Sequence, residues 1–225
     1  METLRNGGCR LITYAEPVFN FSKKINLGAK VAVGDYLLVL NDDIEVISPD
    51  WIERLLEQAF KPGVWVVGAK LLYPNGTIQH AGVVHWNGLP DHVRKHFPRE
   101  DPGYFFSTVA VRNYLGVSGA CMLTPAWAFR SVEGLDEGFE VNYGDIDYCL
   151  KLREMGLRTV YTPHAELYHF ESLSRVATVA TREIERYLKK WGHITRNDPY
   201  YNEAFLNSTP PDFSLRFVGL QVEAA

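Results

Sequence analysis

The stretch LLVLNDDIEV, Leu37–Val46, runs apolar for four residues and then turns abruptly to Asn41-Asp42-Asp43. Adjacent carboxylates repel each other and are costly to remove from water, so a buried strand that ends in them needs a reason. Either this is a surface turn, for which Asn and Asp are ordinary residues, or something at the strand's end uses negative charge. The surrounding pattern decides how the stretch is read.

Working outward, Tyr36–Leu40 reads as a strand buried on both faces, preceded by an amphipathic segment, Phe21–Val33, with Ser22 as its cap. Arg10–Tyr14 reads as a short strand before it. Downstream, Ser48-Pro49 supplies a cap and a first-turn proline for a helix carrying Trp51, Ile52, Leu55, Leu56, Ala59 and Phe60. Pro62-Gly63 stops it, and Val64–Leu72 is a second buried strand. Alternating strands and helices predict an α/β sheet with helices on its faces. Residues 73–103 read as an excursion with a hairpin at Ile78–Trp86, and they hold His80, His85, His92 and His96. Gly116–Leu123 is expected as a strand of small residues, Gly144–Glu154 as a helix stopped by Gly156, and Arg158–Thr162 and Glu166–Phe170 as short strands. Thr181–Trp191 has the spacing of an amphipathic helix.

Composition narrows the class. The chain has 225 residues, 46% apolar and 22% charged, enough for one good core. A net charge of −4 with no long basic run gives no footprint for nucleic acid. Cys9, Cys121 and Cys149 are odd in number and form no CxxC pair, which argues against a disulfide framework or zinc knuckle and for a reducing compartment. No run approaches the length of a membrane span and Met1–Arg10 lacks a signal-peptide core, so a cytoplasmic location is expected.

Ligands in such sheets sit beyond the carboxyl ends of strands, where Asn41-Asp42-Asp43 falls. Oxygen ligands there suit Mg²⁺ or Mn²⁺, which bind one or two carboxylates and fill their shell with phosphate oxygens. A second acidic pair, Asp145 and Asp147, opens a helix. Acids there are stabilised by the helix dipole in any case, but two residues apart they cannot share a face, so one is free to point into a cleft. His169 ends the strand that carries Leu167 and Tyr168.

Taken in order, NFSKKINLGAKVAVGDYLLVLNDDIEV, PDWIERLL, VVGAKLLYPNGTIQHAGVV, GVSGACML, EGLDEGF, YGDIDYCLKLREMGLRTVYTPHAELYH and ESLSR resemble family 2 glycosyltransferases. These are inverting enzymes of the GT-A fold, in this case rhamnosyltransferase-like. The resemblance covers most of residues 18–175, and the closing DPYYN, Asp198–Asn202, also looks like the tail of that subgroup. It implies a mixed sheet flanked by helices, an α/β fold of the GT-A, Rossmann-like kind, over residues 1–175, with a C-terminal helix and tail, 176–225, packing on the same domain. It places Asn41-Asp42-Asp43 at the family's DxD motif, with Asp43 on the metal, His169 completing the metal shell, and Asn41, Asp42, Asn26 and Gly28 beside the donor. Asp145 matches the catalytic base, with Gly144 where a glutamate is usual. Asp147 would support the acceptor or helix geometry, Gly119 and Ala120 line the acceptor side, and Arg175 is a candidate to meet the phosphates or an acidic acceptor.

The implied partners are a UDP- or dTDP-sugar and a saccharide or lipid-linked saccharide acceptor of a bacterial surface polysaccharide. A homodimer and peripheral membrane association are left open. The match begins at what looks like the family's third strand, so two strand–helix units, roughly 60 residues, are absent from it. That predicts a vacancy beside Tyr36–Leu40, filled by the N-terminal segment or a second chain, and weak nucleotide binding by this chain alone. A non-catalytic carbohydrate- or partner-binding remnant is the alternative, and a nucleotidyltransferase a weaker one, because no glycine-rich phosphate loop is present.

Overall fold

A computed structural model describes residues 12–86, 88–170, 179–194, 197–202, 204–205 and 210–214. Nine strands and five α-helices follow in the order α1 (Phe21–Val31), β1 (Tyr36–Leu40), β2 (Ile44–Val46), α2 (Trp51–Ala59), β3 (Val64–Leu72), β4 (Ile78–His80), β5 (Val83–Trp86), β6 (Leu89–His92), β7 (Arg112–Tyr114), β8 (Cys121–Pro125), α3 (Ala126–Ser131), α4 (Gly144–Glu154), β9 (Arg158–His169) and α5 (Thr181–Trp191) among these residues. The main sheet runs β1-β8-β3-β9-β2, with β4 on β3 and β7 on β9. It is mixed, as expected. Only β3 and β9 pair in parallel, and β8 lies antiparallel between β1 and β3. Thus β1, β3 and β9 point the same way, and the start of β8 meets the ends of β1 and β9 at one edge.

The sequence explains the layers. Leu55 and Ala59 of α2 pack with Val67, Ala69, Leu123, Val160 and Leu167 on one face. On the other, Val66, Met122 and Tyr161 meet Ala128 and Phe129 of α3 and Tyr148, Cys149 and Leu152 of α4. A third cluster joins Tyr187 and Trp191 of α5 to Phe139, Ile146 and Leu150. Fully burying a side chain of this size contributes roughly 1.5–3 kcal/mol, so the helices are held chiefly by these faces.

Several sequence expectations need correction. The described part of the first predicted strand, Ile12–Tyr14, is not in a strand. The cap of α1 is Asn20, whose side chain accepts from the Lys23 N–H at 2.8 Å, while Ser22 is buried and donates to the Phe139 carbonyl at 2.7 Å. The N-cap of α2 is Asp50, and Ser48 Oγ instead accepts from the Glu166 N–H at 3.1 Å. β1 is buried on one face only: Leu38 and Leu40 remain 36% and 41% exposed because β1 is an edge strand with a partner, β8, on one side among the described residues. The hairpin is β5-β6, with Val83 opposite His92, rather than Ile78–Trp86. Between β4 and β5, Ala81-Gly82 breaks the run, and β4 pairs with β3. Gly116–Ala120 is a lead-in to β8, and the two late strands are one, β9, with a register shift opposite Ala69 and Lys70. Buried Lys70 and half-exposed Arg99 meet Glu166 beside that irregularity, Arg99 through two hydrogen bonds. Cys121 and Cys149 are free and buried.

Gly82 has φ of +108°, and an added Cβ would lie 2.2 Å from the Tyr114 ring. Gly82→Ala should therefore cost about 3 kcal/mol through strain and overpacking, read as a lowered denaturant midpoint with an unchanged slope.

Candidate active site

Three backbone-anchored connections draw distant segments to one edge of the sheet. The Asn41 N–H donates to the Ala120 carbonyl at 3.0 Å, and the Phe170 N–H donates to the Asp43 carbonyl at 2.9 Å. The Gly119 N–H donates to Asp145 Oδ2 at 2.8 Å. A cleft of about 690 Å³ opens there, lined among others by Asn41, Asp43, Gly119, Ala120, Asp145 and His169. That volume is ordinary for a small-molecule site.

His169 is fixed on both sides. Its side chain is only 9% exposed, and Gln79 grips it twice. Gln79 Nε2 donates to the His169 carbonyl at 3.3 Å, which leaves Gln79 Oε1 to accept from His169 Nδ1–H at 2.7 Å. A neutral ring so held carries its lone pair on Nε2. Asn41 Nδ2 donates to that nitrogen at 3.1 Å, and Asp43 Oδ1 also lies 3.1 Å from it. Asp43 Oδ1 is buried and has no hydrogen-bond partner among the described residues. Two electron-pair donors thus converge on one point, an arrangement that suits a cation.

No group of three His, Cys, Asp or Glu able to hold a metal occurs among the described residues. Asp43 and His169 therefore fit a Mg²⁺- or Mn²⁺-type ion only as a partial shell, completed by ligand oxygens and water.

Asp145 sits in the first turn of α4 after Tyr143, whose left-handed backbone (φ 65°) turns the chain into the helix. Its Oδ1 accepts from the Ile146 N–H at 2.9 Å. Burial pushes its pKa up, and the hydrogen bonds from Gly119 and Ile146 oppose but do not cancel that rise. The preceding loop is clamped by α5. Buried Glu183 accepts from the N–H groups of Val141 and Asn142, each at 2.9 Å, and from Asn142 Nδ2 at 3.0 Å.

Four sequence-selected residues are not brought to the cleft wall: Asn26, Gly28, Asp42 and Asp147. Asn26 instead ties α1 to Leu135 and Glu137, because its amide faces those backbone groups. Gly28 lies within α1 with nothing near the position of an added Cβ. Asp147 is completely buried, accepts from Trp191 Nε1 at 2.8 Å and pairs with Lys190 at 2.5 Å. It anchors α5 and cannot meet an acceptor, so of its two expected roles it serves helix geometry. Arg175 lies outside the described residues. The residues missed by sequence reading are Gln79, His92, Tyr143 and Glu183; only the histidine-rich run from His80 to His96 hinted at any of them.

These features match a known family. Residues 7–190 fit the profile of the glycosyltransferase-like family 2, and the chain belongs to that family. It is 40% identical over 202 residues to the y4gI protein of Sinorhizobium fredii, covering 86% of this chain and 22% of that protein. It is 40% identical over 212 residues to the O-antigen biosynthesis protein RfbC of Myxococcus xanthus, covering 91% of this chain and 16% of that protein. It is 27% identical over 158 residues to an N-acetylglucosaminyl-diphospho-decaprenol L-rhamnosyltransferase of Mycobacterium tuberculosis, covering 63% of this chain and 49% of that enzyme. The chain thus spans less than half the length of each of these relatives. Among solved structures, GalNAc-T7 with UDP, GalNAc and Mn²⁺ superposes with a TM-score of 0.57 at 14% identity, covering 77% of this chain and 35% of that one. The mixed sheet flanked by helices is therefore a GT-A-like fold. No helix among the described residues is long and apolar enough to cross a membrane.

Because Asp147 is a structural anchor, Asp147→Asn should lower stability by roughly 2 kcal/mol while leaving Mn²⁺ affinity within threefold, measured by unfolding and by metal titration.

Proposed function

We propose that this chain is the catalytic body of a metal-dependent, inverting transferase. It would move a sugar from a nucleotide-diphosphate donor, of the UDP- or dTDP-sugar kind, to a saccharide or lipid-linked saccharide acceptor in bacterial surface polysaccharide synthesis. The observation that carries this reading is the convergence in one cleft of Asp145, His169 Nε2 and, 3.1 Å from that nitrogen, the buried Asp43 Oδ1. Family membership and the printed roles of the relatives, O-antigen biosynthesis and rhamnosyl transfer, support the substrate class.

Inverting transfer is one displacement. The acceptor oxygen bonds to the anomeric carbon as the bond from that carbon to the diphosphate oxygen breaks, and the acceptor's proton must leave. Asp145 takes that proton. Its Gly119 and Ile146 hydrogen bonds hold the carboxylate in place, and partial burial keeps it more basic than a surface carboxylate. Asp43 and His169 would hold the divalent ion, which when bound offsets charge on the departing diphosphate. Gln79 keeps the His169 lone pair on Nε2, where Asn41 Nδ2 donates to it and a bound ion would take that donor's place. Gly119 leaves room where any side chain would press on Asp145: an added Cβ there would stand 3.2 Å from the Asp145 Cβ. Arg175 is retained as a phosphate or acidic-acceptor contact.

A carbohydrate- or partner-binding remnant is the second reading, favoured, among the described residues, by a metal shell of two protein ligands and by the one-sided pairing of β1. A donor screen by mass spectrometry, with and without Mn²⁺, separates the two. The transferase reading predicts Mn²⁺-dependent product; no product with any donor, from this chain or a version extended upstream, supports the remnant.

Asp145→Asn should reduce turnover at least a thousandfold with an unfolding midpoint close to the parent's, and retained turnover would remove Asp145 from the base role. The pH profile follows from the same group. Its pKa is raised, so the base is lost as pH falls through a value above the ordinary carboxylate of about 3.9. The acid limb of kcat/KM should sit above that value and disappear with the residual activity of Asp145→Asn.

A further inference from the structure

Buried His80 and the half-buried His92 form a pair that neither metal binding nor proton abstraction uses. Their Nδ1 atoms are 2.8 Å apart, and His80 Nε2 lies 3.3 Å from the backbone nitrogen of Ser118. His92 lines the cleft. Nothing so far assigns this pair a role.

Hydrogen-bond direction is forced from one end. The Ser118 N–H can only donate, so His80 Nε2 must accept and carry a lone pair. His80 therefore bears its proton on Nδ1 and donates it to His92 Nδ1. That leaves the His92 proton on Nε2. A charged ring at either position would set N–H against N–H somewhere in this chain of contacts, so both rings are held neutral. Burial acts in the same sense, driving His80 well below the ordinary histidine range and His92 to about 4.

From this geometry we infer that His92 is a binding residue for a neutral saccharide, presenting a fixed, uncharged Nε2–H donor to a sugar hydroxyl oxygen in the cleft. The inference rests on the sugar-handling reading of the site. A neutral donor suits a hydroxyl better than a phosphate, which would favour a cation. The neighbouring wall is also balanced in charge. Asp91 Oδ1 accepts the His92 backbone N–H at 2.7 Å and pairs with Lys95 at 3.1 Å, so the carboxylate beside the ring is already compensated. Donor and acceptor groups side by side are what discriminates hydroxylated ligands from apolar ones. Ser118 thereby links the two halves of the cleft. Its N–H sets the His tautomers, and the next N–H, that of Gly119, holds Asp145.

The test needs no turnover. Long-range ¹H–¹⁵N spectra of the full chain, with His92 assigned through the signal missing in His92→Phe, report each tautomer. The expected result is an Nδ1–H tautomer for His80 and an Nε2–H tautomer for His92 at neutral pH. An Nδ1–H tautomer or an imidazolium at His92 would overturn the inference. Titration with the methyl glycosides of rhamnose, mannose, galactose and N-acetylglucosamine should then move the His92 Nε2 signal for at least one of them. His92→Phe should weaken that binding about tenfold, the loss expected for one uncharged hydrogen bond. Equal affinity of the variant and the parent, or no movement with any glycoside, would also overturn it. Failure of the transferase reading would show differently, as tautomers and glycoside binding intact but no product with any sugar nucleotide.

Discussion

The register between β2 and β9 is the constraint on which the site depends. Ile44 pairs with His169 in an antiparallel ladder, and the Phe170 N–H closes on the Asp43 carbonyl. A slip of one residue would turn His169 to the opposite face of the sheet. β9 in turn is long and continuous because its parallel pairing with β3 survives an irregularity at Ala69 and Lys70, where Glu166 is met by Lys70 and Arg99. The carboxylate and imidazole are therefore brought together by backbone pairing, and neither side chain must be ordered at the moment a ligand arrives.

A second layer of control lies in α5. Its inward face carries apolar Tyr187 and Trp191, but also Glu183, which caps the loop before α4 through two backbone N–H groups. Trp191 and Lys190 both meet Oδ1 of the buried Asp147 of α4, and Lys151 lies 3.8 Å from its Oδ2. Buried carboxylates are stable only when so satisfied. One consequence is that the start of α4, and with it Asp145, is braced by α5. The two acids of GDID thus have divided roles: Asp145 faces the cleft, and Asp147 faces the helix that holds it.

Much of the fold was legible in the sequence because apolar period and breakers coincide. Val64–Leu72, Gly144–Glu154 and Thr181–Trp191 match β3, α4 and α5 in full. Asp43, Asp145 and His169 were legible as strand-end and helix-start polar residues, and they do share one cleft. What stayed hidden depends on long-range pairing. No local pattern shows that Asn26 bonds to Leu135, 109 residues away, or that Gln79 grips a histidine 90 residues on. The apolar run of Tyr36–Leu40 predicted burial on both faces, yet exposure there depends on what lies beside an edge strand, which the run cannot report. The hairpin was misplaced because Ala81-Gly82 reads like the interior of a small-residue strand, whereas Gly82 takes a positive φ against Tyr114.

The central claim, that Asp43 Oδ1 and His169 Nε2 form two points of one metal shell, is tested most directly by pulsed electron paramagnetic resonance of Mn²⁺ added with UDP. The account predicts a directly coordinated nitrogen in the parent, lost in His169→Ala, and much weaker Mn²⁺ binding in Asp43→Asn. Mn²⁺ bound with no nitrogen coupling, or with affinity indifferent to both substitutions, would contradict it.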